Sequence, residues 1–165
     1  LQEFENQTPT LVPVGVDQDP HLRLARDISQ RIKDHKFTQL SSTYHILLPG
    51  LKREKMSSSD PYSYIALTDS VKEIENKIKK YAFSGGQPTI EEHRKRGGNP
   101  DIDISFQYLK LFEEDDKKLN QIYNEYKTGK LLTGELKQIL IEKLTKFLVQ
   151  HQKNREKVKL DKFLV

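Results

Sequence analysis

The chain has 165 residues, enough for one or two domains with a buried core, and its 28 Lys and Arg against 24 Asp and Glu give a net charge of +4. Charged residues make up 32% and hydrophobic ones 35%, a wet, helix-leaning balance, and no apolar run approaches the length of a membrane span. The absence of cysteine excludes disulfides, thiolate metal sites and a cysteine nucleophile, and fits a reducing, cytoplasmic compartment.

Residues 1–19 hold four acids (Glu3, Glu5, Asp17, Asp19) and no Lys or Arg, whereas residues 20–60 hold eight basic and four acidic residues. A basic middle beside an acidic start is compatible with a polyanionic partner, although solvated helix faces are the simpler reading. The start at Leu1, with no basic-then-apolar leader, predicts no secretory signal and suggests that an upstream part is missing.

In chain order, the β-branched run Thr10-Leu11-Val12-Pro13-Val14-Gly15-Val16 predicts a buried strand, with Pro13 arguing against a central one. Asp19-Pro20 reads as a helix start, Asp19 at the N-cap and Pro20 at the first position, and Leu24, Ile28 and Ile32 fall on one stripe. Tyr44-His45-Ile46-Leu47-Leu48, ended by Pro49-Gly50, is a second strand candidate. Residues 52–61 read as a polar loop, and Ile65-Ala66-Leu67 is a third short apolar run.

From there the pattern is helical. Ser70 with Glu73 predicts a capping box before Val71, Ile74 and Ile78, supported by Glu73/Lys77 and Glu75/Lys79 pairs and ended at Gly85-Gly86. Thr89 with Glu92 predicts another box, stopped at Gly97-Gly98. Residues 101–112 are apolar nearly all round, so a buried helix is expected there. Asp115 opens the next helix, closed by Gly129, and Thr133 is expected to cap the last one, with Leu136, Leu140, Leu144, Phe147 and Leu148 inward. The fold class is therefore α/β followed by an all-α bundle, divided near Thr68 into 1–67 and 68–165. Three short strands cannot form a covered parallel sheet, so the first part looks like the back half of a larger one.

Two segments have compositions suited to chemistry. Lys55-Met56-Ser57-Ser58-Ser59-Asp60 supplies one ammonium, small hydroxyl donors and an approachable backbone, as a phosphate-handling loop requires; an ordinary solvated serine loop has the same composition. Gly15-Val16-Asp17-Gln18 stands where a strand meets a helix, the place where open α/β sheets bind ligands, although helix capping alone would also explain the aspartates. No metal-ligand set is visible, and His21, His35, His45, His93 and His151 are isolated from one another.

Together G-V-D-Q-D-P and K-M-S-S-S-D-P resemble the class I aminoacyl-tRNA synthetases. The blocks A-F-S-G-G (82–86), T-I-E-E-H-R (89–94), G-G-N (97–99) and L-T-G-E-L-K (132–137) resemble, within that class, the carboxyl half of the tryptophanyl family of archaeal and eukaryotic type. The tyrosyl family shares G-x-D-Q and K-M-S-S-S but typically not the later blocks. The resemblance implies a partial Rossmann-like nucleotide-binding sheet followed by a helical anticodon-binding bundle. It implies ATP with Mg2+ as substrate, tryptophan and tRNA(Trp) as partners, and a homodimer, with no membrane attachment.

By the same resemblance Lys55, Ser57 and Ser59 would be catalytic, stabilising the departing pyrophosphate. Gly15, Val16 and Asp17 would hold the ribose side of ATP, with Met56 beside the adenine and Ser58 completing the loop. Gln18, Val12 and Val14 would bound the tryptophan pocket. Arg94 (by charge) and Lys137 (by motif) would contact the anticodon. Two departures stand out: no H-I-G-H-like motif occurs, and Gln87-Pro88 replaces the Arg-Asp common in eukaryotic relatives. The 165 residues alone are therefore expected not to form adenylate. The alternatives are a tyrosyl-type ligase or a non-catalytic tRNA-binding module descended from such an enzyme.

Overall fold

The computed structural model describes residues 9–32 and 37–158; Glu3, Glu5 and His35 lie outside them. The chain divides into two compact units, residues 1–47 and residues 48–165.

The first unit is a parallel strand–helix–strand motif: β1 (Leu11–Gly15), a short 3₁₀ turn (Val16–Gln18), α1 (Asp19–Arg31) and β2 (Ser41–His45). β1 pairs with β2 from Leu11 opposite Ser41 to Gly15 opposite His45. Val12 and Val14, two apart, share the half-buried face of β1, while Leu11 and Pro13 point to solvent, so this strand alternates instead of being buried throughout. Pro13 is tolerated because the described sheet has only two strands, so each has a free edge.

Three sequence expectations shift in this unit. The second strand begins three residues early, in Ser41-Ser42-Thr43, because pairing with β1 and not apolarity sets its position; Ile46, beyond its end, is 94% exposed. Gln18, not Asp19, caps α1. The Asp19 carboxylate instead accepts from the Tyr44 hydroxyl at 2.6 Å and pairs with Arg23 at 2.7 Å, contacts that hold it below the usual carboxylate range, the Tyr44 bond most of all. The Leu24–Ile28–Ile32 stripe is exposed, while Arg26, on another face of α1, donates to Leu40 O at 3.0 Å and to Ser42 Oγ at the start of β2.

The second unit packs five helices: α2 (Val71–Tyr81), α3 (Ile90–Arg96), α4 (Ile104–Phe112), α5 (Asp116–Lys127) and α6 (Thr133–Glu156). α6 is the spine, with Leu136, Leu140, Ile141, Leu144 and Leu148 buried against α2 (Ile74, Ile78) and α4 (Ile104, Phe106, Tyr108, Leu109). Each such side chain contributes about 1.5–3 kcal/mol on burial. Residues 48–69 belong to this unit and not to the first one, about twenty residues before the change of pattern seen in the sequence. They are pinned to the helices by fully buried Leu51, by Phe83 N donating to Leu51 O at 2.8 Å and by the Tyr108 hydroxyl donating to Pro49 O at 3.1 Å.

Several ends differ from expectation for identifiable reasons. Residues 65–67 do not form a strand: a turn closes over 66–69, with Asp69 N donating to Ala66 O at 3.0 Å and the Asp69 carboxylate accepting from Ala66 N at 2.9 Å. Asp69 also takes Lys77 in a buried pair at 2.7 Å, with the ammonium 5.3 Å from the Tyr64 ring, so Lys77 does not pair with Glu73. Ser70 and Glu73 do form the capping box and Glu75 pairs with Lys79, but α2 stops at Tyr81, where Ala82 turns extended, short of Gly85. Thr89 caps α3, accepting from Glu92 N at 3.2 Å, and Gly97 closes it with φ +72°.

Asp103 and Asp115 cap α4 and α5. α4 is not buried all round, since Leu111 is 64% exposed, and on α6 Phe147 is largely exposed as well. Thr133 is the first residue of α6 and not its cap: Leu132 N donates to Glu135 Oε2 at 2.6 Å, and the Thr133 hydroxyl faces Tyr126 at 3.2 Å.

Candidate functional site

The first segment lies at the carboxyl end of β1, where parallel strands leave their backbone ends open to ligands. Gly15 has an ordinary extended backbone, so φ is not the reason for glycine. The reason is proximity: a Cβ there would sit 2.7 Å from Asp17 Oδ1. Glycine thus lets the Asp17 carboxylate fold back over the end of the strand. Val16, Asp17 and Gln18 are exposed, and Val12 and Val14 line the half-buried face that precedes them.

The second segment is a loop built on the helical unit. Before it, Gly50 N donates to Glu54 O at 2.7 Å and Arg53 N to Gly50 O at 2.8 Å, closing a tight turn in which Arg53 takes a left-handed φ of 72°. The bulky residue is held there by its guanidinium over the Phe83 ring at 5.3 Å. Met56 is half-buried against the core. Between these two anchors the Lys55 side chain is exposed and, among the described residues, has no hydrogen bond or ion pair.

Ser57 Oγ and Ser59 Oγ lie 2.8 Å apart at the surface, and Ser58 is exposed beside them. One hydroxyl proton of the pair is engaged between the two oxygens, which leaves the other free for an incoming acceptor. The limbs of the loop are clasped by Lys52 and Asp60 at 2.6 Å. That bond raises the Lys52 ammonium and lowers the Asp60 carboxyl from their ordinary values. Tyr62 stacks on Tyr81 at 4.5 Å beneath the clasp. A free ammonium, a hydroxyl pair and an ordered backbone can together receive a phosphate chain. Among the described residues, no group of three or more His, Asp or Glu side chains is placed to hold a metal ion.

The two residues proposed from sequence to contact RNA already have partners within the bundle. Arg94 is exposed at the end of α3 and donates to Gly129 O at 2.9 Å and to Lys130 O. Lys137 is half-buried, and its ammonium donates to Lys79 O at 3.1 Å, at the carboxyl end of α2 where a positive charge is favoured. Burial pushes its pKa down, opposed by the Asp103 carboxylate.

Sequence reading missed the anchors. Ser63 is 5% exposed and accepts from Ser57 N at 3.0 Å, and Asp60 carries both the Lys52 pair and the Tyr62 amide. The usable signal was Asp60-Pro61, a turn former, followed by a small hydroxyl residue. Missed as well was the buried centre of the bundle. Fully buried Asp103 accepts from Gly85 N, Ser105 N and the Tyr126 hydroxyl, and buried His93 donates from Nε2 to Leu131 O at 3.0 Å while Nδ1 accepts from Gln87 N. The blocks at 82–86, 89–94, 97–99 and 132–137 converge on these groups, so they build the bundle.

A parallel βαβ unit with its turn at the carboxyl end of the strand places the first unit in the Rossmann-like α/β class. The chain belongs to the family of tRNA synthetases class I (W and Y), whose sequence profile matches residues 2–149. It is 57% identical over 150 residues to the tryptophan–tRNA ligase of Sulfurisphaera tokodaii, covering 90% of this chain and 39% of that enzyme. The human cytoplasmic tryptophan–tRNA ligase is 51% identical over 159 residues, covering 95% of this chain and 34% of that enzyme. The crystal structure of tryptophanyl-tRNA synthetase from Aeropyrum pernix superposes with a TM-score of 0.88 at 44% identity, over 95% of this chain and 43% of that one. The chain thus spans about 39% of the length of its first curated relative. Among the described residues, no helix is long and apolar enough to cross a membrane.

Proposed function

We propose that this chain is the carboxyl-terminal part of a cytoplasmic tryptophan–tRNA ligase of the archaeal and eukaryotic type. Residues 1–67 complete its nucleotide-binding domain, although 48–67 pack with the helices, and residues 68–165 form its anticodon-binding bundle. The single observation that carries the reading is the Lys55 ammonium, unpaired among the described residues and exposed on an otherwise anchored loop beside the Ser57–Ser59 hydroxyl pair. The names of the relatives support tryptophan over tyrosine.

In the reaction a carboxylate oxygen of tryptophan attacks the α-phosphorus of ATP. The bond to the β-phosphate breaks, and pyrophosphate leaves with its Mg2+. Negative charge grows on the leaving group, and Lys55 neutralises it while the Ser57–Ser59 pair donates its free hydroxyl proton to its oxygens. Met56 lies beside the adenine, Gly15, Val16 and Asp17 hold the ribose, and Gln18 with Val12 and Val14 bounds the amino acid. A ribose hydroxyl of tRNA(Trp) then attacks the activated carbonyl and AMP leaves, while the bundle binds the anticodon through Arg94 and Lys137. The enzyme works as a homodimer.

The test is Lys55→Ala in the full-length enzyme. ATP–pyrophosphate exchange falls about 10²–10³-fold with the tryptophan Kd unchanged, the loss typical of one transition-state donor. Equal losses in exchange and in tryptophan affinity would defeat the leaving-group role. Exchange with tyrosine in place of tryptophan separates the two members of the family.

A further inference from the structure

The geometry points to Ser63 as the positioning residue of the Lys55 loop. Every contact of its hydroxyl is to loop backbone: Oγ accepts from Ser57 N at 3.0 Å, donates to Asp60 O at 2.7 Å and lies 3.2 Å from Ser57 O. A serine has one proton to give, and the shorter contact marks where it goes. Around it the backbone makes two successive turns, Asp60 N donating to Ser57 O and Ser63 N to Asp60 O, each at 3.0 Å. The hydroxyl closes these two turns into one ring.

The ring is fixed to the core through the backbone of the same residue. Ser63 O accepts from Leu51 N at 2.8 Å, and Leu51, fully buried, accepts at its own carbonyl from Phe83 N at 2.8 Å. Gly50 passes so close that a Cβ there would lie 2.8 Å from Ser63 O, which leaves this strut no room to shift. Among the described residues Lys55 has no partner of its own, so its place is set by its neighbours on either side. Glu54 is tied to Gly50 before it, and Ser57 is tied to Ser63 after it.

Loss of the Ser63 hydroxyl cuts the second tie and leaves the hydrophobic core untouched. The Ser57 amide then turns to water, and the turn after Met56 has to be ordered by the nucleotide itself, at a cost in orientation. The inference rests on Lys55 acting on the leaving pyrophosphate.

The experiment is a double-mutant cycle in the full-length enzyme, with exchange rates expressed per active site counted by the adenylate burst, so that misfolded molecules drop out. Ser63→Ala is expected to lower the per-site exchange rate 10–100-fold with the tryptophan Kd unchanged. In a Lys55→Ala background the same change is expected to alter the rate less than twofold, because a positioning residue has nothing left to position. A per-site rate unchanged by Ser63→Ala, or an equal loss in both backgrounds, overturns the assignment of Ser63 while Lys55 keeps its role. Full exchange by Lys55→Ala alone overturns the catalytic reading and this inference with it.

Discussion

Asp103 Oδ2 accepts the Tyr126 hydroxyl at 2.8 Å with both residues fully buried, joining the start of α4 to the far end of α5. The same oxygen takes Gly85 N at 2.8 Å, and Oδ1 takes Ser105 N at 2.9 Å. Because the phenol proton goes to Asp103, the Thr133 hydroxyl donates to the Tyr126 oxygen, and α6 is included. Burial, followed by the adjacent Asp103 charge, pushes the phenol well above its usual range, so it stays a donor.

Tyr126→Phe removes one donor from this carboxylate and one acceptor from Thr133, and is expected to cost about 1–3 kcal/mol. Asp103→Ala leaves three buried donors without an acceptor and uncaps α4, so its loss exceeds that of Tyr126→Phe. Thermal unfolding of the two variants, followed by helical ellipticity, gives the order. A Tyr126→Phe melt as low as that of Asp103→Ala would mean that the ring position, and not the hydrogen bond, carries the stability.

The glycines of the helical unit are not equivalent. Gly97 has φ +72°, and a Cβ there would lie 1.8 Å from Lys127 O, a backbone atom that cannot give way. Gly97→Ala combines left-handed strain with that overlap and is expected to cost more than about 3 kcal/mol. Gly134, in the first turn of α6, has nothing within 4 Å of its Cβ position, and Gly134→Ala is expected to stabilise by up to about 1 kcal/mol. Opposite shifts in melting temperature are the check.

How much of this was legible in the sequence follows from how local each determinant is. The box at Ser70, the caps at Thr89 and Asp115 and the βαβ order depend on residues a few positions apart, and pattern finds them. The start of β2 depends on β1, thirty residues earlier, and apolarity misplaced it. On α1 the apolar stripe is exposed, and the contact to the start of β2 is made by the polar Arg26, which apolar periodicity does not mark. At the candidate site the chemistry-bearing residues Lys55, Asp17 and the serines are visible by type, whereas Ser63 and Asp103 act through backbone amides that no composition reveals.

Glu113 ends α4 and receives Lys118 at 2.9 Å from α5 and Lys143 at 3.0 Å from α6, with its own side chain 6% exposed. The bonds from Lys118 and then Lys143 hold its carboxyl down at about 2. A folded-state value below the unfolded one means stability present above about pH 4.5 and lost as pH falls through about 2. Lys118 is half exposed, so solvent screens its share and the whole is worth about 1 kcal/mol. Glu113→Gln is expected to melt lower at neutral pH and to flatten the stability profile between pH 4.5 and 2. A profile as steep as wild type in that window would place the acid sensitivity elsewhere.

Lys137 joins stability to the proposed RNA contact. Its ammonium sits on Lys79 O, where it satisfies one of the last carbonyls of α2, yet it is only half-buried and keeps two further protons to donate. A ribose or phosphate oxygen of a bound anticodon loop can take one of them without breaking the first bond. Lys137→Ala therefore loses both, and Lys137→Gln keeps a neutral donor for Lys79 while losing the charge. In the full-length enzyme both variants are expected to raise the KM for tRNA about tenfold, with ATP–pyrophosphate exchange unchanged. Only Lys137→Ala is expected to lower the melting temperature, by a loss of about 1 kcal/mol. If the Gln variant charges tRNA normally, the ammonium serves α2 alone; if exchange falls in parallel with charging, the residue acts on the whole fold and not on the anticodon.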